Sequence, residues 1–139
     1  MVVRKDVVDV MTTGVLSFPP DAWLDEIARK MYSRNISSVY IYDPRTGKRG
    51  VVTDTDILKV VGKKKLEKVK AREVMSKKII GITKETTLEE AVNLMRTKKV
   101  RRLFIFNDLR DKLPVGVLSV TDILLELVKE TSLKEGRGR

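Results

Sequence analysis

The chain is written twice, and that repetition limits its fold more than any other feature. Val10-Met11 recurs as Val74-Met75, and the following segments align without a gap at Leu24/Leu88, Glu26/Glu90, Met31/Met95 and Ile41/Ile105. After a two-residue shift the match resumes, Gly50-Val51 with Gly116-Val117 and Thr55-Asp56-Ile57-Leu58 with Thr121-Asp122-Ile123-Leu124. A fixed internal period means one folding unit used more than once. Two copies of roughly 60 residues are too few for a solenoid, so they must bury their apolar faces against each other. The seam between the copies is then the natural place to look for a site.

Repeat one is read as residues 5–61, a basic linker as 62–70, repeat two as 71–129, and a polar, fraying tail as 130–139. Each repeat has the same order of elements. A short apolar strand comes first, Val15-Leu16-Ser17-Phe18 and then Ile79-Ile80-Gly81-Ile82. A helix follows, begun by Pro19-Pro20-Asp21 with Leu24, Ile27, Ala28 and Met31 on one face. Its counterpart is begun by Thr86-Thr87, with Glu89 placed for a capping box and Leu88, Ala91, Val92 and Met95 on one face. Next is a hairpin, Val39–Tyr42 turning through Asp43–Gly47 into Gly50–Thr53, and Leu103–Phe106 turning through Asn107–Lys112 into Val115–Ser119. A last helix closes each unit, Asp54–Val61 and Val120–Lys129. Strand, helix, strand, strand, helix predicts an α/β unit with helices packed on a small sheet.

The absences narrow the chemistry. The chain has no Cys, His or Gln. It therefore holds no disulfide, thiolate nucleophile, His-based triad or ordinary zinc site, and acid–base work would fall to Asp, Glu, Lys or Tyr. No nucleophile–base constellation is visible. Asp54, Asp56 and Asp122 offer carboxylates that hold Mg²⁺ only together with a nucleotide, since no cluster dedicated to metal is present. No apolar run approaches membrane-spanning length and the N-terminus carries no secretory pattern, so a cytoplasmic protein is expected. Abundant Lys, Glu and Arg with few thermolabile residues suggest a thermophilic source. The net charge of +10 favours anionic partners, whether nucleotides, nucleic acid or acidic proteins. Much of it sits in Lys63-Lys64-Lys65, Lys68, Lys70, Arg72 and the tail, where solvated charge is common.

Two short signatures carry the chemical argument: Thr53-x-x-Asp56 and Ser119-x-x-Asp122. Each hydroxyl residue stands where a strand ends and a helix begins. Unpaired N–H groups and the positive end of the dipole favour a phosphate there. An Asp three residues on lies one turn further along the same face, where a carboxylate accepts both hydroxyls of a ribose. The same spacing is also that of a plain capping box, which Thr86-x-x-Glu89 shares with no ligand assigned to it.

Several markers taken in order give the chain a family resemblance. Asp9-Val10-Met11-Thr12 and Glu73-Val74-Met75-Ser76 open the repeats. Leu88-Glu89-Glu90-Ala91-Val92-Asn93-Leu94-Met95 carries a Leu-x-Glu-Ala-x-x-x-Met helix. Ile36-Ser37-Ser38-Val39 and Val100-Arg101-Arg102-Leu103 enter the second strands. Gly50–Asp56 and Gly116–Asp122 carry a Gly-h-h-(Thr/Ser)-x-x-Asp signature, where h is apolar. The arrangement resembles the CBS domain, and the tandem resembles a CBS-domain pair, or Bateman module, over roughly Asp6 to Lys129. The resemblance implies two tandem CBS repeats packed with pseudo-two-fold symmetry. It implies a non-catalytic regulatory module that senses AMP, ADP or ATP, with S-adenosylmethionine or nucleic acid as alternatives. No cofactor is required, and Mg²⁺ enters only with the nucleotide. In the family, base contacts come from the opening segment and second-strand entry of the partner repeat. Carried over, Asp122, Ser119 and Val117 would face Thr12, Val15, Ile36 and Ser37, and Asp56, Thr53 and Val51 would face Ser76, Ile79, Val100 and Arg101. For Val15, Ile79, Ile36 and Val100, simple core packing is the competing reading.

Arg101 and Arg102 are neighbours on a strand and point to opposite faces, so they cannot both be buried, and one could reach a phosphate as a bidentate donor. Repeat one has Ser37-Ser38 there, which makes the two sites inequivalent. Trp23 is read as covering core or a subunit contact, and Tyr40 and Tyr42 as packing. The family's habit of pairing modules implies a homodimer. No enzyme domain accompanies the repeats, so the effector is expected to be a separate, unidentified protein.

Overall fold

Apolar residues spaced three and four apart, closed by a left-handed cap, define the long helix of each repeat. The computed structural model describes residues 4–138, with 132–138 described by backbone alone. Helix α1 spans Leu24–Arg34 and buries Leu24, Ile27 and Met31. Asn35 closes it at φ +53°, donating its N–H to the Met31 and Tyr32 carbonyls. Asn tolerates this conformation better than most residues. Complete burial of Leu24 or Ile27 is worth about 1.5–3 kcal/mol each, against which α1 is held on its sheet.

The elements fall into two compact units, and these are not the two contiguous repeats. One unit holds residues up to Gly14 together with those from Ile80 on, and the other holds Val15–Ile79. In the second unit, strand β2 (Ser17–Phe18) runs parallel to β3 (Ser38–Tyr42), which pairs antiparallel with β4 (Arg49–Thr53). Helix α2 (Asp54–Leu58) follows directly, and α3 (Ala71–Val74) lies beyond the linker. In the first unit, β1 (Thr12–Thr13) pairs antiparallel with β7 (Gly116–Ser119), β7 with β6 (Arg102–Phe106), and β6 runs parallel to β5 (Gly81–Thr83). Helices α4 (Leu88–Lys98) and α5 (Val120–Gly138) complete it.

The opening segment of each repeat is therefore built into the body of the other. The Val7 N–H donates to the Thr86 carbonyl at 2.8 Å and the Leu88 N–H to Lys5 at 2.8 Å. The equivalent bonds recur in the other unit, Ala71 N–H to Ala22 at 2.9 Å and Leu24 N–H to Val69 at 2.9 Å. Val7 and Ala71 are fully buried in their respective cores. Backbone groups that would otherwise be orphaned at these buried edges find partners only through this exchange.

Several boundaries differ from the sequence reading. Helix α1 begins at Leu24 rather than at the prolines, with Trp23 at its N-cap position and no side-chain cap. Pro19 and Pro20 instead supply carbonyls to a turn, taking the Ala22 N–H at 3.0 Å and the Arg72 N–H at 3.0 Å. The capping box of α4 is Thr87 with Glu90, one residue later than Thr86 with Glu89. The Thr86 N–H and carbonyl are already engaged, by Thr83 and Val7, so Thr86 is not the cap. Helix α2 stops at Leu58 and passes through a turn to Gly62, which sits at φ +86°. Of the residues read as a fraying tail, 130–138 continue α5 as helix to Gly138, and Arg139 lies outside the described residues.

The linker is more than solvated charge. Lys63, Lys64 and Lys65 are exposed, but a 3-10 turn over Leu66–Lys68 delivers Val69 into the core at 2% exposure. Lys70 bridges to Trp23, with its ammonium 5.2 Å from the indole centroid. Trp23 remains 39% exposed. Tyr40 is fully buried, in keeping with a packing role, and burial raises its phenol above the ordinary value. Among the described residues no helix is long and apolar enough to cross a membrane.

Candidate functional site

Each signature sits at a strand-to-helix junction, as its spacing predicts. Strand β4 ends at Thr53 and α2 begins at Asp54; strand β7 ends at Ser119 and α5 begins at Val120. Both signatures are complete capping boxes. Thr53 Oγ1 accepts the Asp56 N–H at 3.2 Å, while Asp56 Oδ2 accepts the Thr53 N–H at 2.9 Å. In the other unit Ser119 Oγ accepts the Asp122 N–H at 3.2 Å, and Asp122 Oδ2 accepts both the Ser119 N–H at 2.9 Å and the Ser119 hydroxyl at 3.0 Å. The capping reading is thus real at both places, but it occupies only one oxygen of each carboxylate.

The second oxygens differ. Asp122 Oδ1 accepts the Thr12 hydroxyl at 3.2 Å, a contact delivered by the exchanged opening segment. Asp56 Oδ1 lies 3.9 Å from the Lys59 ammonium, and the Asp56 side chain is 15% exposed. The counterpart of Thr12, Ser76, uses its hydroxyl instead to accept the Lys78 N–H at 3.2 Å. Lys59 was invisible to the sequence argument, although its place one helical turn after Asp56 was a usable signal. Among the described residues no cluster of three or more His, Cys, Asp or Glu side chains is arranged to hold a metal ion.

The opening segments are fixed beside these carboxylates by two matching devices. Thr12 is opposite Val117 on β7, and Ser76 exchanges backbone hydrogen bonds with Val51 at 2.9 Å in both directions. Beneath each, a methionine covers a glycine. A Cβ on Gly116 would lie 2.4 Å from Met11 Sδ, and one on Gly50 would lie 2.6 Å from Met75 Sδ. A side chain at either glycine would collide with the methionine of the opening segment, which accounts for the first residue of the signature.

The second-strand entries lie at the helix starts of their own repeats. The Asp54 N–H donates to the Ser37 carbonyl at 3.0 Å, and the Val120 N–H to the Arg101 carbonyl at 3.0 Å. Arg102 is opposite Ser119 in the β6–β7 register and half-buried, while Arg101 is exposed, as opposite faces require. Ile36 and Val100 are half-buried and pack on the cores of their units. Val15 and Ile79 are half-buried, whereas Ser37 is exposed. The structure therefore brings Thr12, Val117, Ser119 and Asp122 together in one unit, and Val51, Thr53, Asp56 and Ser76 in the other. The groupings of Asp122 with Val15, Ile36 and Ser37, and of Asp56 with Val100 and Arg101, join residues of different units.

The fold has known counterparts. The model of the CBS domain matches residues 6–63 and again 71–129. An uncharacterised protein of Methanopyrus kandleri is 36% identical over 118 residues, which cover 84% of this chain and 59% of that protein. An inosine-5′-monophosphate dehydrogenase of Methanocaldococcus jannaschii is 26% identical over 131 residues, covering 94% of this chain but 25% of the enzyme. The chain thus spans 59% of the first relative's length and a quarter of the second's. A crystal structure of a CBS domain pair in complex with 5′-methylthioadenosine and S-adenosyl-L-methionine superposes with a TM-score of 0.77 at 20% identity, over 92% of this chain and 99% of that one. With the repeated Gly-h-h-(Thr/Ser)-x-x-Asp junctions in place, the chain belongs to the CBS domain family, as a tandem pair of CBS repeats.

Proposed function

We propose that the chain is a non-catalytic regulatory module that binds an adenine nucleotide, AMP, ADP or ATP, and acts on a separate protein. The observation that carries this reading is the state of the two carboxylates. One oxygen of Asp56 and of Asp122 is fixed by a capping box, so the side chain is already oriented. The other is held by a single hydroxyl at 3.2 Å or faced by an ammonium at 3.9 Å, contacts that the two hydroxyls of a ribose replace with better ones. A neighbour in the fold is described with two adenosine compounds bound, which favours an adenosine moiety as the shared element. Exposed Arg101 and half-buried Arg102 favour a phosphorylated ligand over a sulfonium compound. Binding would stabilise the folded chain by mass action and shift the conformations offered to a partner.

Isothermal titration with AMP, ADP, ATP and S-adenosylmethionine tests this, on protein first checked by mass spectrometry for carried-over nucleotide. Micromolar binding of a phosphorylated ligand supports it. No heat with any of the four, and no carried-over nucleotide, overturns it and returns both junctions to helix caps.

A homodimer is part of the same reading. A groove between the end of α1 and α2 is lined by Met31, Ile36, Ile57, Leu58 and Tyr32, with Tyr32 90% and Leu58 67% exposed. Leu124, Leu125 and Val128 on α5 are more than half exposed as well. Apolar surface of this kind marks an association face. Nucleic acid remains the second reading, favoured by the net charge of +10 and the exposed Lys63-Lys64-Lys65; a steep fall of affinity with salt would mark it.

A further inference from the structure

A cleft of about 710 Å³ lies at the hairpin end of the Val15–Ile79 unit, away from the Thr53–Asp56 junction. Ser38 is paired with Thr53 at one end of the β3–β4 ladder and Tyr42 with Arg49 at the other. At about 3.4 Å per residue the hairpin turn is therefore roughly 14 Å from the junction. Three stretches distant in sequence converge on the cleft: the Pro19–Asp21 turn, the Asp43–Lys48 turn, and the segment from Arg72 to Lys77.

These walls are fixed by hydrogen bonds. The Asp43 N–H donates to the Lys48 carbonyl at 3.0 Å, the Gly47 N–H to Asp43 at 2.8 Å, and Asp43 Oδ1 accepts the Arg45 N–H at 2.9 Å. The Arg72 N–H is tied to Pro20 at 3.0 Å, and the Arg72 guanidinium is paired with Asp21. The apolar part of the lining is Pro19, Pro20, Pro44 and Met75.

Four lining cations, Arg45, Lys48, Arg72 and Lys77, meet two carboxylates, Asp21 and Asp43, in this cleft. Asp21 is taken by Arg72, and by Lys70 at 3.9 Å; Asp43 is taken by Arg45 at 3.8 Å. Lys48 and Lys77 are exposed and have no carboxylate partner among the described residues. Two uncompensated ammonium groups over a rigid concave surface attract a compact, multiply charged anion. We propose that this cleft is a second ligand site, independent of the carboxylate junctions, that takes a pyrophosphate or polyphosphate group through Lys48 and Lys77. The group comes either as an inorganic chain or as the tail of a nucleotide whose base lies on Met75 and the prolines.

The test is an amide chemical-shift titration of the full chain with sodium pyrophosphate at constant ionic strength, with sodium sulfate as the control anion. The wild type, Lys48→Ala/Lys77→Ala and Asp56→Ala are compared. Both lysines are exposed, so the double variant keeps its fold. The expected result is saturable shifts at Thr46, Lys48 and Lys77, unchanged in Asp56→Ala and weakened at least tenfold in the double lysine variant. Tripolyphosphate binding as tightly as ATP assigns the inorganic source, and tighter ATP binding assigns the nucleotide. Equal shifts with sulfate, or pyrophosphate affinity lost in Asp56→Ala and kept in the double lysine variant, overturn the site. The lysine result is read independently of whether AMP binds at the junctions, so the two proposals fail separately.

Discussion

Asp122 is asked to do two things, cap a helix and hold a ribose, and two substitutions separate them. Three hydrogen bonds end on its carboxylate, from the Ser119 N–H at 2.9 Å, the Ser119 hydroxyl at 3.0 Å and the Thr12 hydroxyl at 3.2 Å. Asp122→Ala removes all three. Loss of half a capping box costs about 1 kcal/mol, and the exposed Thr12 hydroxyl recovers water, so the total is about 1–2 kcal/mol. For a chain of this size that lowers Tm by roughly 3–8 °C. Asp122→Asn keeps an amide oxygen for the Ser119 N–H, so its stability loss is under about 1 kcal/mol. Its NH₂ cannot accept a ribose hydroxyl and its charge is gone, so nucleotide affinity at this site still falls by about 10- to 100-fold. The assay is differential scanning fluorimetry beside isothermal titration with AMP and ATP, on both variants. A two-site wild-type isotherm that survives intact in Asp122→Asn, or affinity losses that merely track the Tm losses across the pair, would refute the ribose role and leave a cap alone.

Two further predictions follow from the packing. Gly50→Ala places a Cβ 2.6 Å from Met75 Sδ, 2.9 Å from Cγ and 3.1 Å from Cβ, so the Met75 side chain must move and its Cβ give by a few tenths of an ångström. Urea unfolding should show about 1–3 kcal/mol of destabilisation. Gly116→Ala meets chiefly the flexible Met11 Sδ at 2.4 Å, so Met11→Ala should rescue it; a coupling near zero in the double-mutant cycle would contradict the packing. The Lys5–Glu126 pair gives a pH signature. Its hydrogen bond to Glu126 raises the Lys5 ammonium above the ordinary 10.5, so the stability it confers is complete below pH 10.5 and is lost as pH climbs through the raised value. The stability gap between wild type and Lys5→Met should therefore be constant from neutral pH to that point and narrow beyond it in pH-resolved denaturation; a gap that widens there would reverse the sign. Tyr32→Asp with Leu58→Asp should shift sedimentation toward monomer if the α1–α2 groove is the homodimer face, and an unchanged sedimentation coefficient would exclude that face.

The sequence alone determined the repeat, the α/β order of elements, the buried faces of α1 and α4, the hairpins and the strand-to-helix placement of Thr53–Asp56 and Ser119–Asp122. Those are local signals: a period of 3.6 or 2, a turn residue, a capping spacing, each written within a dozen residues. Tertiary structure decided the rest. Val7 beneath Thr86 and Ala71 beside Ala22 are pairings across long stretches of chain, and no periodicity records which copy an opening segment will join. The one-residue slip from Thr86 to Thr87 as cap follows from that exchange, because Val7 had already claimed the Thr86 carbonyl. Lys70 over Trp23, Met75 over Gly50 and Thr12 on Asp122 are likewise contacts of the exchanged segments. In sequence the two junctions already differ in their neighbours, Ser37-Ser38 beside one and Arg101-Arg102 beside the other, and in Thr53 against Ser119. Folding adds a difference the sequence did not show, because it brings a hydroxyl to the second oxygen of Asp122 and an ammonium to that of Asp56.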